Sequence, residues 1–415
     1  MRVCLVNSSR PFEIYYGGEE KFTISYSEWL AAHGIQVVLV TRKGIGVHVV
    51  EGNKGTLPDA RPVSTGPLVK VPYLIYSVAM CLVSFLLALN IIQQNKKARI
   101  SVIHAQDTGY AGLAALLAHM VLRAPVIISA HGIRYNSLKR IVGGCSRIIL
   151  PFQWWLDTIS TKSASLVITV SESVKVALLR IRNRKMVVIP SAVSLSEYAT
   201  DQQIRREVRE NLRIDEGAIV FGFVGRLSPE KNPTTLVNAF VRASNSRSDI
   251  RLLVVGTGPL ENDLKSICKT NHIEDRVIFT GARRDVPSLL QAIDVYVIPS
   301  YTEGSPLSLL EAMASGKAII ASNIPSIREV LDEESGALFI NPSDVVGLEH
   351  AILDLSAKPS QRERSGHIAL TLAQHYDIDA IYQRIKSSYD QISDIGASSS
   401  ELVAVASTLV DLSRV

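Results

Sequence analysis

Cysteine is scarce in this chain, and its spacing gives no sign of a metal site. The four cysteines, Cys4, Cys81, Cys145 and Cys268, form no C-x-x-C pair. This indicates a reducing compartment and argues against structural zinc. The N-terminus, MRVCLVNSSR, has no charged leader before an apolar core. We therefore interpret it as a first strand and not as a signal peptide.

Two further patterns are missing. No G-x-G-x-x-G follows the first apolar run, which argues against a dinucleotide-dependent dehydrogenase. No repeat of solenoid period occurs, so a stacked repeat protein is not expected. With 415 residues, the chain is long enough for two or three domains.

The net charge of +5 conceals an uneven distribution. Residues 1–195 hold 22 Lys and Arg against 9 Asp and Glu, which is +13, and the remainder holds 22 against 30, which is −8. A basic half suits an anionic partner such as nucleic acid, anionic lipid or a phosphorylated substrate. The alternative is a basic surface that is merely solvated.

Short apolar runs alternate with helical stretches along the chain. The first half contains RVCLV, QVVLV, SVIHA, PVIIS, SLVITV and MVVIP, and the second contains AIVFGFVG, RLLVVG, RVIFTG, DVYVIP and KAIIAS. Continuous apolar runs are typical of parallel strands that are buried on both faces. The predicted fold is therefore α/β, with two Rossmann-like doubly wound domains. The polar stretch 191–216 interrupts the strand pattern and marks the boundary.

Ligands of such sheets bind beyond the carboxyl ends of the strands, and polar residues gather there in the second half. Arg226 and Lys231 follow the run AIVFGFVG. Asn232 is a suitable N-cap and Pro233 a suitable first helical residue, so the two cations are expected in the loop between strand and helix.

The segment EGSPLSLLE follows the run DVYVIP. Ser305 is a candidate cap for the next helix, Pro306 its first residue and Gly316 its end. Glu303 would then lie in the loop, and Glu311 about one and a half turns into the helix. A helix start favours phosphate through its unpaired N–H groups and its dipole.

Together these residues suit a nucleotide diphosphate that carries a hydroxyl-rich group. Arg226 and Lys231 would face the phosphates, and a carboxylate at Glu311 would accept hydrogen bonds from paired hydroxyls. Each feature also has a simpler explanation, since an acid near a helix start favours the dipole and a loop cation is usually solvated. Their placement at successive strand ends favours the ligand site.

The stretch EGSPLSLLEAMASGKAIIASNIPSIREVL resembles the E-x7-E signature of the retaining nucleotide-sugar glycosyltransferases of family four, which have the GT-B fold. FVGRLSPEKNPTTLVNAF is similar to their diphosphate-binding loop. GGEEKFTISYSEWLAAHGIQVVLVT, SVIHAQDTGYAGLAALLA and VIISAHG resemble their first glycine loop and the next two strand ends. The resemblance covers about residues 1–390, and it implies that the two doubly wound domains face a central cleft.

This resemblance implies roles for particular residues. Glu303 would contact the donor sugar, Glu311 the ribose, and Arg226 and Lys231 the diphosphate, while His131 would lie at the reaction centre. The implied catalytic residues are His131, Glu303, Arg226 and Lys231. The implied donor-binding residues are Gly17, Gly18, Arg226, Lys231, Glu303, Gly304, Ser305, Leu307 and Glu311. Without the resemblance, a core role for His131 would be preferred.

The expected enzyme is a hexosyltransferase-like glycosyltransferase that transfers sugar from a UDP- or GDP-linked donor to a glycan or glycolipid with retention. The resemblance implies no metal and no further cofactor, and nucleic acid is not an expected partner. The pair Asp377 and Asp379, in DID, is interpreted as a helix N-cap and not as a metal site. The alternatives are a sugar-nucleotide epimerase of the same architecture and a silent sugar-binding protein.

The expected organisation has four parts. They are an acceptor-binding domain over 1–195, a nucleotide-sugar domain over 196–375, a terminal helix over 376–395 that packs back toward the N-terminal domain, and a disordered tail over 396–415.

Residues 71–95 contain no charged side chain and have the length of a bilayer span. They lie between strands expected in one sheet, so a single crossing would separate those strands. Trp154 and Trp155 are residue types that favour membrane interfaces. With the basic N-terminal half, they favour a cytoplasmic protein held peripherally on the cytoplasmic membrane face. The alternative is that both elements pack into the core or form a dimer contact.

Overall fold

The computed structural model describes residues 1–8, 18–43, 46–52, 73–132, 146–179 and 185–394. The chain divides into two compact units. The N-terminal unit comprises Met1–Pro190 together with the chain from Ile381 onward, and the C-terminal unit comprises Ser191–Ala380. The predicted tail over 396–415 lies outside the described residues.

A seven-stranded sheet forms the centre of the N-terminal unit, with the order β3-β2-β1-β4-β5-β6-β7. Its strands are β1 (Arg2–Asn7), β2 (Gln36–Lys43), β3 (Gly46–Gly52), β4 (Val102–Ala105), β5 (Val126–Ala130), β6 (Leu166–Thr169) and β7 (Met186–Val188). Adjacent strands are parallel, except that β3 is antiparallel to β2. Every residue of β1, β4, β5 and β6 is buried, as expected of a sheet covered on both faces.

Helices cover both faces of this sheet. They are α1 (Gly18–Ala32), α2 (Tyr73–Lys97), α3 (Tyr110–Leu122), α4 (Ser146–Ser163) and α5 (Glu172–Leu179). Alternate strand residues such as Cys4, Val38 and Ile103 pack with α2, α3 and α4 in one apolar cluster. On the opposite face, His104 contacts the ring of Tyr26 from α1.

The C-terminal unit contains a six-stranded parallel sheet with the order β10-β9-β8-β11-β12-β13. Its strands are β8 (Ile219–Val224), β9 (Ile250–Val255), β10 (Val277–Gly281), β11 (Val295–Ile298), β12 (Ala318–Ser322) and β13 (Leu338–Ile340). Its helices are α6 (Gln202–Asn211), α7 (Pro233–Ser246), α8 (Glu261–Thr270), α9 (Val286–Ala292), α10 (Leu307–Ala314), α11 (Pro325–Arg328), α12 (Val345–Ala357) and α13 (Pro359–Ala373). Two apolar clusters lie on its two faces, so this unit is doubly wound, as predicted.

A long helix, α14 (Ile378–Asp394), ends the described chain. From Ile381 it belongs to the N-terminal unit. Tyr382 packs against Phe22 and Tyr26 of α1, with ring centroids 5.4 and 4.8 Å apart. Tyr389 shares a hydrogen bond of 2.6 Å with Nδ1 of the fully buried His104.

Candidate active site

Two loops at the carboxyl ends of β8 and β9 lie in close contact. The N–H of Gly225 donates to the carbonyl of Val255 at 3.0 Å, so the pairing continues past the end of β8. Gly256 has φ of +135°, and a Cβ there would lie 1.9 Å from the carbonyl oxygen of Gly225. A Cβ on Gly258 would lie 2.3 Å from the carbonyl oxygen of Leu227. Glycine is therefore required at both positions for the loop that carries Arg226 to lie where it does.

The loop from β8 to α7 presents two cations in different settings. Arg226 is exposed, and its guanidinium makes no hydrogen bond or ion pair with any residue that the structure describes. Lys231 is half-buried, and its Nζ lies 2.6 Å from Oε2 of Glu303. The predicted placement of both cations in this loop is confirmed.

Asn232 occupies the N-cap position of α7, with Pro233 as the first helical residue, as predicted. Its backbone is left-handed with φ of 54°, and its side chain caps no backbone N–H of the first turn; its Oδ1 instead accepts a hydrogen bond of 2.9 Å from the hydroxyl of Thr235. Its Nδ2 donates to the carbonyls of Pro299 at 3.0 Å and Pro342 at 2.6 Å. Asn232 thus ties the loop to the segments that follow β11 and β13.

Glu303 is held by two side chains after the end of β11. Ser300 Oγ donates to Oε1 at 2.7 Å, and Lys231 Nζ donates to Oε2 at 2.6 Å. The Glu303 side chain is only 5% exposed, against 29% for Lys231. The fold therefore brings together a carboxylate and an ammonium group that lie 72 residues apart in the sequence.

The prediction that Ser305 caps the next helix is wrong. Helix α10 begins at Leu307 with Pro306 at its N-cap, and no side chain caps it. Ser305 Oγ instead accepts a hydrogen bond of 3.2 Å from the N–H of Ser191. Gly304 and Leu307 are both half-buried at this helix start. Gly316 follows the end of α10 with φ of +64°, consistent with its predicted role.

Glu311 lies one turn into α10 and is nearly completely buried. The hydroxyl of Tyr198 donates to its Oε1 at 2.8 Å. Burial, and after it the neighbouring Glu311 carboxylate, raises the pKa of Tyr198 far above its usual range, so this hydroxyl stays protonated as a donor. Sequence reasoning missed Tyr198, because it lies in the polar stretch 191–216, which shows no periodic pattern.

The candidates of the N-terminal unit are described in part. Gly17 lies outside the described residues, and Gly18 is the exposed first residue of α1. His131 follows β5 and is half-buried, with Nε2 3.3 Å from Oε1 of Gln106 and the ring of Phe22 at 5.0 Å. Burial lowers the pKa of His131 to about 4, although Asp107 opposes the shift. Its imidazole is therefore neutral at pH 7.

No cluster of three His, Cys, Asp or Glu side chains suited to a metal ion occurs within the described ranges. In the DID segment, Oδ1 of Asp377 accepts a hydrogen bond of 3.0 Å from the N–H of Asp379, at the start of α14. Asp377 is thus a helix N-cap, as predicted.

The apolar helix α2 is buried on one side and exposed on another. Met80, Val83 and Leu87 are buried in the core. Leu82, Phe85 and Leu89, which lie on one face of the helix, are 54%, 51% and 45% exposed. Among the described residues, no helix is both long and apolar enough to cross a bilayer.

On α4, Trp154 and Trp155 are 51% and 49% exposed. The ring of Trp155 stacks on Phe152, with centroids 6.0 Å apart. Core packing therefore accounts for one side of α2 but not for the exposed apolar side chains of α2 and α4.

Two family models match adjacent parts of the chain. Residues 16–197 match the model described as Glycosyltransferase Family 4, and residues 204–370 match the one described as Glycosyl transferases group 1. An Escherichia coli UDP-Gal:alpha-D-GlcNAc-diphosphoundecaprenol alpha-1,3-galactosyltransferase is 28% identical over 71% of this chain and 76% of its own. An alpha-monoglucosyldiacylglycerol synthase of Streptococcus pneumoniae is 29% identical over 65% of this chain and 62% of its own.

Solved structures with this fold cover nearly the whole chain. Sucrose-phosphate synthase from Thermosynechococcus elongatus matches with a TM-score of 0.76 and 20% identity over 94% of this chain and 98% of its own. Anabaena HepE in complex with UDP and glucose matches with a TM-score of 0.70 and 18% identity over 94% and 99%. These likenesses confirm the predicted fold, which consists of two Rossmann-like domains of the GT-B type.

Proposed function

Because this chain belongs to the glycosyltransferases, with a family four domain followed by a group 1 domain, we propose the reaction that its site performs. It transfers a sugar from a nucleoside diphosphate sugar to an acceptor hydroxyl, with retention at the anomeric carbon. The observation that carries this proposal is the Lys231–Glu303 pair at the carboxyl end of the sheet, with the exposed Arg226 in the same loop as Lys231.

The chemistry of the site follows from its charges. Breaking the bond between sugar and phosphate leaves negative charge on the departing nucleoside diphosphate. Arg226 and Lys231 are positive groups of one loop that stabilise this charge, so the site supplies by itself the role that a divalent metal has elsewhere. Lys231 and Ser300 also hold Glu303, the group assigned to the sugar, in one orientation. The role of His131 at the reaction centre remains a prediction.

Calorimetric titration with UDP, GDP and their glucose conjugates tests the donor site, in the presence and absence of EDTA. We expect one nucleotide series to bind in both conditions. Lys231→Met should weaken binding at least tenfold, because it removes one of two phosphate-facing charges. The matched control is Lys265→Met, since Lys265 pairs with Glu261 on α8 at 2.7 Å, outside the site. Binding that depends on added magnesium, or an equal loss in both variants, would contradict this assignment.

We further propose that the acceptor is lipid-linked and that the N-terminal unit attaches to an anionic bilayer. The names of two relatives, which specify a diphosphoundecaprenol and a diacylglycerol, support this proposal. The apolar side chains on α2 and α4 offer area for shallow insertion, and the charge of +13 over residues 1–195 offers attraction to anionic lipid.

Co-sedimentation with neutral and anionic liposomes tests the attachment. Binding should require anionic lipid and weaken with salt, while a residual fraction stays bound through inserted side chains. The double variant Phe85→Ser, Trp154→Ser should lose that residual fraction. Val346→Ser is the control, because Val346 is an exposed apolar residue of the C-terminal unit. A protein that stays in the supernatant at low salt would refute the attachment.

A further inference from the structure

The segment over residues 191–200, where the chain enters the C-terminal unit, forms hydrogen bonds to Ser305, before α10, and to Glu311, within it. The N–H of Ser191 donates to Ser305 Oγ at 3.2 Å, just before α10. The hydroxyl of Tyr198 donates to Oε1 of Glu311 at 2.8 Å, one turn into the same helix. No family motif in the sequence points to either contact.

Tyr198 is itself firmly placed. Its side chain is 1% exposed and belongs to the apolar cluster on the face of the sheet that α10 covers. On its C-terminal side, the carbonyl of Ala199 and the N–H of Asp201 both bond the side chain of Gln291 on α9, at 3.3 and 3.2 Å. These contacts therefore fix the position of the Tyr198 hydroxyl.

Glu311 needs such a partner if it binds ribose. A glutamate has three side-chain torsions, and a carboxylate that accepts bonds from two adjacent hydroxyls must be held in one orientation, with its oxygens toward both hydroxyls. A hydrogen bond from a neutral, buried hydroxyl to a carboxylate is strong and directional. The bond fixes the rotation of the carboxylate. Because its donor is neutral, it takes no Arg or Lys side chain away from the phosphates.

We propose that Tyr198 is a positioning residue of the donor site, which holds the Glu311 carboxylate in the orientation that accepts the ribose hydroxyls of the nucleotide. This inference rests on the proposed function, because it assumes that the ligand of Glu311 is a ribose. It assigns part of the nucleotide specificity to a residue that does not touch the ligand.

The preference for ribose over 2′-deoxyribose nucleotides distinguishes this positioning role from a purely structural one. UDP, 2′-deoxy-UDP, GDP and 2′-deoxy-GDP are titrated calorimetrically into wild type and Tyr198→Phe, and the ratio of the two Kd values within each base is compared. We expect wild type to prefer the ribose form, and Tyr198→Phe to reduce that preference roughly tenfold, as for the loss of one charge-assisted hydrogen bond. In a Glu311→Gln background, Tyr198→Phe should change the ratio no further.

The control is Tyr389→Phe, which removes another buried and hydrogen-bonded hydroxyl, in the N-terminal unit. It should lower the melting temperature comparably and leave the ribose preference unchanged. If Tyr198→Phe does not fold, Tyr198→Met keeps an apolar side chain of adaptable shape and takes its place.

The outcomes separate a failure of the proposed function from a failure of the positioning role. If wild type binds none of the four nucleotides, the proposed function fails, and the role of Tyr198 fails with it. If wild type binds them without ribose preference, the assignment of Glu311 is wrong. If wild type shows the preference and the Tyr198 variants keep it at full strength, only the positioning role is overturned.

Discussion

Replacing Lys231 by Met should lower both the turnover and the stability of the protein. A second substitution, at Glu303, should restore stability but not turnover. Lys231 donates one of the two side-chain hydrogen bonds that Glu303 receives in this structure, and the Glu303 side chain is 5% exposed. Without Lys231, a buried carboxylate retains Ser300 but loses its counter-charge.

The expected magnitudes follow from this burial. Removing one partner of a fully buried ion pair costs about 3–5 kcal/mol. Because Lys231 is 29% exposed, water reaches the pair and we expect about 1–3 kcal/mol of lost stability. The loss of a positive charge at the leaving group should add about 3 kcal/mol to the reaction barrier, roughly a hundredfold in rate.

A double-mutant cycle with Glu303→Gln separates the two effects. Glu303→Gln in the Lys231→Met background removes the unpaired charge, so the free energy of unfolding in urea should recover by at least half of the loss. Turnover should not recover, because both charged groups of the site are then absent.

The assays are urea denaturation and sugar transfer or donor hydrolysis under saturating donor, with Lys265→Met as the matched surface control. Recovery of turnover together with stability would refute the electrostatic role of Lys231. Rates within twofold of wild type for Lys231→Met alone would reject the site itself.

Two further predictions concern the pH response and the loop contact. Burial, followed by the neighbouring His131, lowers the pKa of His104 from 6.5 to about 3. The unfolded chain thus binds more protons between these values, so the free energy of unfolding should fall as the pH drops from 6.5 toward 3. His104→Gln should flatten this part of a urea-denaturation profile, and an unchanged slope would contradict the assignment. Gly256→Ala should weaken nucleotide binding at least tenfold and lower the melting temperature, because the new Cβ meets the Gly225 carbonyl at 1.9 Å. Gly217→Ala, where a Cβ meets nothing within 4 Å, is the control, and equal effects of the two would disprove the steric argument.

The strands were predictable to the extent that they are buried on both faces. Every apolar run named from the sequence forms a strand, because continuous burial requires continuous apolar sequence. The strands β3 and β13 were not predicted. Each lies at an edge of its sheet, but so do β7 and β10, which were predicted. The two missed strands differ in their sequence: β13 has three residues, two of them half-buried, and the apolar run of β3 is interrupted by His48.

The sequence predicted which residues form the site and the loops in which they lie. It did not predict all of their hydrogen-bond partners. The spacing of strand ends and helix starts put Lys231 and Glu303 in neighbouring loops. It did not indicate the Tyr198–Glu311 bond, because a contact across 113 residues leaves no local pattern. The same reason explains the error at Ser305, whose hydroxyl bonds the backbone of Ser191, 114 residues away.

The return of the last helix to the N-terminal unit has a consequence for biosynthesis. The C-terminal unit is one continuous stretch, Ser191–Ala380, whereas the N-terminal unit is completed only by the chain from Ile381 onward. The bond between His104 and Tyr389 joins residues 285 positions apart. At a synthesis rate of about 5–20 residues per second, on the order of 15–60 s pass on the ribosome between the synthesis of His104 and that of Tyr389. A nascent chain that ends before Tyr382 leaves Tyr26 and His104 without their partners on α14. Truncated products are therefore expected to expose apolar surface and to be natural clients of chaperones and proteases.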